Sequence, residues 1–532
     1  MIPPALLHRL GQLQRSKSMR EFSSALKDPT RAQQLRLRQI LQRNASTTYG
    51  ESLGFDPTWT TSDYAVRAPI IDASDLAPWV ARSMAGERGV LTADDPLYYV
   101  RTTGTTGAAK HIPITASYTR EFQKPLHVSL WHLYRKYPRA FRGRALYFVA
   151  PPDTGKADDG LTVGTMSGYN YSALPKIVRA LYAWPTDLFA ITDLRARSFL
   201  ALYGAAQHRI TFAASVFPLT LVLLLRTLHQ EADRLAYHLE RGTLPDDLDL
   251  PDPTPFARWL KPNPAAAARL RAAANDPEHA CRHVFPDLRL VLCWTGASAG
   301  LYVSELERLV GPNVAVRDAV YSASEGWLNS PLGDSEPGGP VGITGHYVEW
   351  RPSGGGEPVG VMEMEQGQQY EPILTTSAGL YRYALGDLVR VTGRHEGLPC
   401  IAFEQKASAS CNISGEKLAE VHVNNAVGPA LREVGLHGAW FCVCPSERRP
   451  GYDLFLECPD VPEGLDRTID AALAALNIDY ADVRSEGSLL PLRIKRVPPG
   501  SSDDRRQALA SAGVPVEQLK AQHLIDTPWT PD

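Results

Sequence analysis

The sequence predicts a mixed α/β protein with a large N-terminal domain, residues 1–410, and a small α+β C-terminal domain, residues 411–532. Three observations carry this. At 532 residues the chain exceeds the ~250–300 residues at which one hydrophobic core stops growing. Short apolar runs rich in β-formers alternate with helical stretches, the pattern of a doubly wound, mainly parallel sheet. From about residue 340 to 405 the texture changes to strands broken by glycine turns, which predicts an antiparallel, barrel-like subdomain.

The elements follow in order. Met1 to Arg20 is basic, lacks acids and has no long apolar run, so it is not a secretory leader. An amphipathic surface helix is the expectation, with a transit peptide as the alternative. Residues 30–47 place Leu35, Leu37, Ile40 and Leu41 at helical spacing among Arg and Gln, a surface helix. The stretch "LAPWVARSMAG" is helical, "LYYVRT" is a strand, and "KHIPIT" is another. One long helix is expected from Ala116 to about Tyr137, with Thr115 as its N-cap. Residues 145–150, 208–215 and 288–294 read as strands. The longest apolar run, 210–225, holds a proline and falls short of the ~20 residues that span a bilayer. It predicts a buried strand leading into a buried helix. Residues 250–278 look like a helical excursion on the surface. Beyond Gly415, "GAWFCVCP", "YDLFLECP", "LDRTIDAALAALN" and "LLPLRIKRVP" restore a βα pattern, and the boundary falls near 405–415.

Composition excludes several classes. Lys and Arg total 55 against 58 Asp and Glu, with a hydrophobic fraction of 44%. This is neither a disordered chain nor a phosphate-backbone binder, so no nucleic-acid partner and no membrane span are expected. The seven Cys show no CxxC pair. That argues for reduced thiols in the cytoplasm, not a disulfide frame or zinc site.

The stretch "TTGTTGAAKHIPIT", residues 102–115, is the strongest local signal. Glycines let backbone N–H groups converge, and the threonine hydroxyls and Lys110 add donors, a combination suited to phosphate oxygens. A Walker A loop needs four residues between its first Gly and a Gly-Lys pair; here two residues separate Gly104 from Gly107, and Lys110 comes later. A Rossmann loop opens a helix, whereas this one opens a strand. The order resembles the phosphate loop of adenylate-forming enzymes, which activate a carboxylate with ATP. Three further stretches fit that chemistry. "CWTGASAG" carries Gly296 and Ala297 in a small-residue turn. "YSASEGWLN" places Tyr321, Ser324 and Glu325, where one carboxylate could hold the Mg²⁺ that accompanies ATP. "LYRYALGDLVRVTG" sets Asp387 after a glycine, a good acceptor for two ribose hydroxyls.

Taken with "RNASTTYGESLGF" (43–55) and "SGEKLAE" (414–420), these motifs resemble the acyl acid amido synthetases of the auxin- and jasmonate-conjugating type, over nearly the whole chain. The resemblance implies the adenylate-forming, firefly-luciferase-like fold with a mobile C-terminal domain. It implies two steps: a carboxylic acid attacks the α-phosphorus of Mg-ATP to give acyl-AMP and pyrophosphate, then an amine, usually that of an amino acid, takes the acyl group and AMP leaves. By position, Thr102, Thr103, Gly104, Thr105, Thr106, Gly107 and Lys110 would line the phosphates. Ser324 and Glu325 would sit at the α-phosphate and Mg²⁺, Tyr321 beside the adenine, and Asp387 at the ribose. Lys417 would reach the phosphates from the hinge, and Lys520 would be the C-terminal catalytic lysine, with Lys495 as the alternative. Lys406 stands where the family has Arg, a point charge in place of a planar fork. Gln522 and His523 replace a Pro and a basic residue. For the acyl pocket Leu126, Met166, Tyr169, Val216 and Phe217 are the candidates. A CoA-dependent acyl ligase and a non-catalytic ligand-binding homologue remain alternatives. The expected assembly is a monomer or weak dimer, and the high Ala, Arg and Leu content hints at a GC-rich bacterial genome.

Overall fold

The structure is a computed structural model. It describes residues 4–102, 110–149, 152–191, 193–248, 250, 252, 254–333, 336–406, 410–414, 416, 418–485, 488–511 and 522–529. Four parallel strands, Arg144–Tyr147, Ile210–Ala214, Leu290–Cys293 and Ala315–Asp318, lie side by side in that order. Helices cover the sheet, so Leu290–Cys293 is buried at every position, as its unbroken apolar run requires. Ile210–Ala214 leads into the helix Pro218–Arg241, which stops at Gly242 (φ 69°). That helix buries Leu221, Leu225, Leu228, Ala232, Leu235 and Leu239, a stripe at helical spacing facing the sheet. The expected buried strand and buried helix are both there.

Two expectations need correction. Residues 250–278 are not a surface excursion: Phe256 is 1% exposed and Trp259 4%, and both join Leu270 in the core of the parallel sheet. Ala266, Ala267 and Ala273 join Leu270 in the buried stripe of the helix Pro264–Asn275, small because the helix packs closely against Pro218–Arg241, while Ala265 and Ala268 are exposed. The single helix from Ala116 is in fact two, Ala116–Phe122 and Lys124–Lys136. Pro125 lacks an N–H and is tolerated only in a first turn, so a new helix starts there. Thr115 does cap the first, its Oγ1 accepting from Tyr118 N at 3.1 Å.

A six-stranded antiparallel sheet occupies Gly339–Lys406, with Tyr347–Pro352 at one edge. Helix Pro29–Asn44 lies against it. This helix has a surface face, with Leu35 48% exposed, but also a buried polar one: Gln33, Arg36 and Asn44 are buried with Leu37, Ile40 and Leu41. Gln33 Nε2 donates to the carbonyls of Ile343 and His346, both at 2.8 Å, and its Oε1 accepts from Val348 N at 2.9 Å. Strands Tyr98–Thr102 and Lys110–Ile114 pair antiparallel, with Thr102 opposite Lys110, the two strands expected on either side of the threonine-rich stretch. In the C-terminal region Phe441–Pro445, Gly451–Glu457 and Leu490–Val497 form a mixed sheet. Helices Glu420–Glu433 and Leu465–Leu476 pack together there, and the seven cysteines are all free.

Candidate active site

The C-terminal ends of the parallel strands, the antiparallel sheet and the threonine-loop strands converge on one cleft. Its first wall is the turn at residues 321–326. Ala323 N donates to Gly326 O at 3.1 Å and Gly326 N returns the bond at 3.2 Å, so Ser324 and Glu325 occupy the tip of a tight hairpin. Asn329 secures its base: Oδ1 accepts from Tyr321 N at 2.7 Å and Nδ2 donates to Ile401 O at 3.0 Å. Tyr118 steadies the tip, its hydroxyl donating to Ser324 O at 2.7 Å.

The second wall is the pair of strands Asp387–His395 and Leu398–Lys406, whose register sets Asp387 directly opposite Lys406. Gly386 enters the first strand at φ 72°, a conformation that suits glycine. Asp387, 3% exposed, accepts the Tyr321 hydroxyl on Oδ2 and the Lys406 ammonium on Oδ1. Tyr321, Asp387 and Lys406 therefore form one charged, hydrogen-bonded unit. Glu325 feels the same charges. Desolvation pushes its pKa above the ordinary carboxylate value, Lys406 and Lys110 pull it back, and Asp387 pushes it further up. Burial would lower the Lys406 pKa, but Asp387 and Glu325 together hold it above normal.

The third wall is an aromatic slot between Trp294, Tyr321 and Phe403, floored by Asp318. Its enclosed part is small, about 30 Å³. Trp294 and Phe403 stack with centroids 6.4 Å apart, and Phe403 meets Tyr321 at 5.4 Å. Asp318 accepts from Thr295 N at 2.9 Å and Gly338 N at 2.7 Å. Burial nevertheless raises its pKa to about 6. Ala297, in the small-residue turn beside Gly296, has φ 50°, a left-handed conformation that costs a non-glycine residue roughly 1–2 kcal/mol.

The structure thus gathers Tyr321, Ser324, Glu325, Asp387, Lys406 and Lys110 at one place, with Gly296 on the slot. Thr102 lies in its strand opposite Lys110. Thr103, Gly104, Thr105, Thr106, Gly107, Lys417 and Lys520 lie outside the described residues. Lys495, the alternative to Lys520, bonds Asp453 at 2.7 Å and lies over the Phe455 ring. The five acyl-pocket candidates split. Leu126, Met166 and Tyr169 pack with Tyr118, Phe122, Val320 and Trp327. Phe217 instead meets Trp294 edge-on at 5.3 Å, and Val216 O accepts from Trp294 N. Sequence reasoning missed Asp318, Asn329 and Phe403. Asp318 was findable, since it is the acid closing the strand Ala315–Asp318 just before "YSASEG".

Among the described residues no three His, Cys, Asp or Glu side chains gather as a metal cage. A divalent cation here would lean on one carboxylate and on substrate oxygens, a donor set that fits Mg²⁺ and the position of Glu325. No helix among the described residues is long and apolar enough to cross a membrane.

Comparison with known proteins gives a consistent result. Residues 18–314 match the GH3 family N-terminal domain, 341–406 its central domain and 421–528 its C-terminal domain. An indole-3-acetic acid-amido synthetase GH3.8 of Oryza sativa subsp. indica is 26% identical, covering 92% of this chain and 87% of that protein. A jasmonoyl–L-amino acid synthetase JAR6 of Nicotiana attenuata is 25% identical, covering 79% of this chain and 76% of that protein. The solved structure of the GH3.15 acyl acid amido synthetase superposes with a TM-score of 0.83 at 22% identity, over 95% of this chain and 94% of that one. With all three domain matches present and in order, the chain belongs to the GH3 family.

Proposed function

We propose that this protein is an ATP-dependent acyl acid-amido synthetase that joins a small carboxylic acid to the amine of an amino acid. The observation that carries the reading is the Tyr321–Asp387–Lys406 unit with Glu325 beside it, facing the aromatic slot. Tyr321 flanks the adenine and Asp318 offers a buried acceptor to the base. Asp387 accepts the ribose hydroxyls. The base must spread Trp294 and Phe403, because the slot as it stands encloses little space. Lys110 and the threonines of residues 102–106 hold the phosphates. Glu325 and Ser324 hold Mg²⁺ and the α-phosphate, with Glu325 ionised. Mg²⁺ supplies charge neutralisation on the phosphate oxygens.

The substrate carboxylate then attacks the α-phosphorus and pyrophosphate leaves. In the second step the amine nitrogen attacks the acyl carbon, loses a proton, and AMP departs with the bond electrons. No acyl-enzyme is needed, since the adenylate is already activated. Lys417 and Lys520 offset the charge on the α-phosphate and acyl oxygen, an electrostatic role. We assign ATP and amine chemistry to two parts, residues 1–410 carrying the cleft and 411–532 completing it. Seven free cysteines suit a reducing compartment such as the cytoplasm.

The test is pyrophosphate release across a panel of carboxylic acids with Mg-ATP and a mixture of amino acids, followed by mass spectrometry. A new amide mass supports the proposal. A product that forms only with CoA, as a thioester, overturns the amide assignment.

A further inference from the structure

Away from the cleft, helices Pro4–Ala25, Pro29–Asn44, Ala116–Phe122 and Lys124–Lys136 surround a polar pocket of about 720 Å³, a volume typical of ligand sites. Five cationic residues line it, Lys17, Arg36, Arg43, Arg120 and Lys124, against two acids, Glu21 and Glu121. Most of the charge is already matched: Lys124 pairs with Glu21 at 3.0 Å, Arg43 with Asp94 at 3.1 Å, and Arg36 with Glu121. Lys17 and Arg120 have no carboxylate partner among the described residues. Arg36 is 8% exposed, and its Nε has no hydrogen-bond acceptor. A buried guanidinium donor without a partner is uncommon and calls for an explanation. Among the described residues Arg120 donates only to the Ser117 hydroxyl, at 3.0 Å, so two cations without a carboxylate and the orphaned Arg36 Nε around one concave polar space point to an anion.

The pocket is one helix away from the cleft. On Ala116–Phe122, Arg120 and Glu121 line the pocket, while Tyr118 on another face donates to Ser324 O. His346 sits against this junction, stacked on Tyr118 with centroids 5.5 Å apart and 1% exposed. Arg36 and Lys124, both pocket residues, act on it electrostatically.

We propose that this pocket is a second ligand site, for a small multivalent oxyanion bearing phosphate or carboxylate groups, and that its occupancy is felt at the Ser324–Glu325 turn through the helix Ala116–Phe122. Guanidinium forks match both kinds of oxyanion. An anion there also draws Arg36 and Lys124 away from their present partners, which changes the field on His346 and the packing behind Tyr118.

The experiment is isothermal titration calorimetry with inorganic phosphate at low ionic strength. One saturable site is expected in the parent, retained in Lys110→Gln and weakened at least tenfold in Lys17→Gln/Arg120→Gln. Both of those positions face solvent in part, so the double variant should fold, checked by its thermal transition. Absence of saturable binding overturns the proposal. So does loss in Lys110→Gln with the double variant unaffected, since phosphate is then in the cleft. Succinate as a second probe separates the two chemistries by which anion binds more tightly. The coupling rests on the nucleotide reading of the cleft. Saturating phosphate should shift the Mg-ATP Kd roughly fivefold or more in the parent and not in the double variant. An equal shift in both overturns the coupling. A protein that binds phosphate but no ATP sinks the nucleotide reading and leaves the pocket standing.

Discussion

Asp387→Asn separates binding from architecture at the centre of the cleft. The native carboxylate has two protein partners, the Tyr321 hydroxyl and the Lys406 ammonium, and the proposal adds the ribose. The asparagine keeps the size and loses the charge. A hydrogen bond to a charged group is worth about 1.5–3 kcal/mol, so Mg-ATP should bind roughly 10- to 150-fold more weakly by calorimetry. Stability should fall less than the ~3–5 kcal/mol of a stranded buried charge. The reason is that the Lys406 side chain is 32% exposed and can turn to water, which limits the loss to about 1–2 kcal/mol in urea unfolding. The reasoning fails if ATP affinity is unchanged while stability drops. Asp387 would then be a brace for Tyr321 and Lys406, with no ribose contact.

Glu325→Gln should raise the thermal midpoint at pH 7 while abolishing turnover. Burial raises this carboxyl's pKa, so the folded state binds its proton more tightly than the unfolded. The resulting stability loss grows from the ordinary carboxylate range up to the folded pKa and is complete above it. A midpoint unchanged between parent and variant from pH 4 to 8 would contradict that. Gly326→Ala puts a Cβ 2.9 Å from His346 Cδ2. Overpacking of that kind costs about 1–3 kcal/mol, and turnover should fall; adding His346→Ala should restore the stability measured by urea unfolding. Arg382 binds Glu349 through Nε and Nη2, both at 3.0 Å, and the carbonyls of Ala65 and Ala68 through Nη1. Arg382→Met should cost about 3–5 kcal/mol by stranding Glu349, and Arg382→Met/Glu349→Leu should regain most of it. Lys520→Ala should slow adenylation by orders of magnitude in a pyrophosphate-exchange assay with the fold intact. Unchanged exchange would remove Lys520 from the mechanism.

The parallel strands were legible because each is an apolar run of β-formers with helical periodicity on either side. Glu325 and Asp387 could be singled out because they stand in short contiguous motifs, and the structure brings them close together; the threonine-rich loop lies outside the described residues. What escaped was whatever depends on distant pairing. Phe403 comes to the slot only through the antiparallel sheet and its register, and the role of Asn329 shows only in its bonds to Tyr321 and to Ile401 of that sheet. The alanine-rich stretch near residue 270 looked empty because small residues carry no signal of burial when their partner helix is unknown. The break at Pro125 was readable in principle, since a proline ten residues into a presumed helix contradicts it. Gln33 and Arg36 read as polar residues on the solvent side of a surface helix; only the fold reveals that they are buried against groups more than three hundred positions away.

That last separation has a consequence in time. Gln33 closes its bond to Ile343 across 310 residues and to Val348 across 315. At roughly 5–20 residues per second, a ribosome takes on the order of 15–60 s to deliver those partners after the helix Pro29–Asn44 has emerged. Through that interval the helix carries Leu37, Ile40 and Leu41 without Tyr347, Val348 and Trp350 of their cluster, and the strand Tyr347–Pro352, once made, is a sheet edge until it docks on the helix. The two liabilities cancel each other only when they meet. A chain halted before residue 350 keeps the first, and one lacking its first 45 residues keeps the second, so both truncations should accumulate in the insoluble fraction, the second even though it removes no residue of the cleft's charged unit.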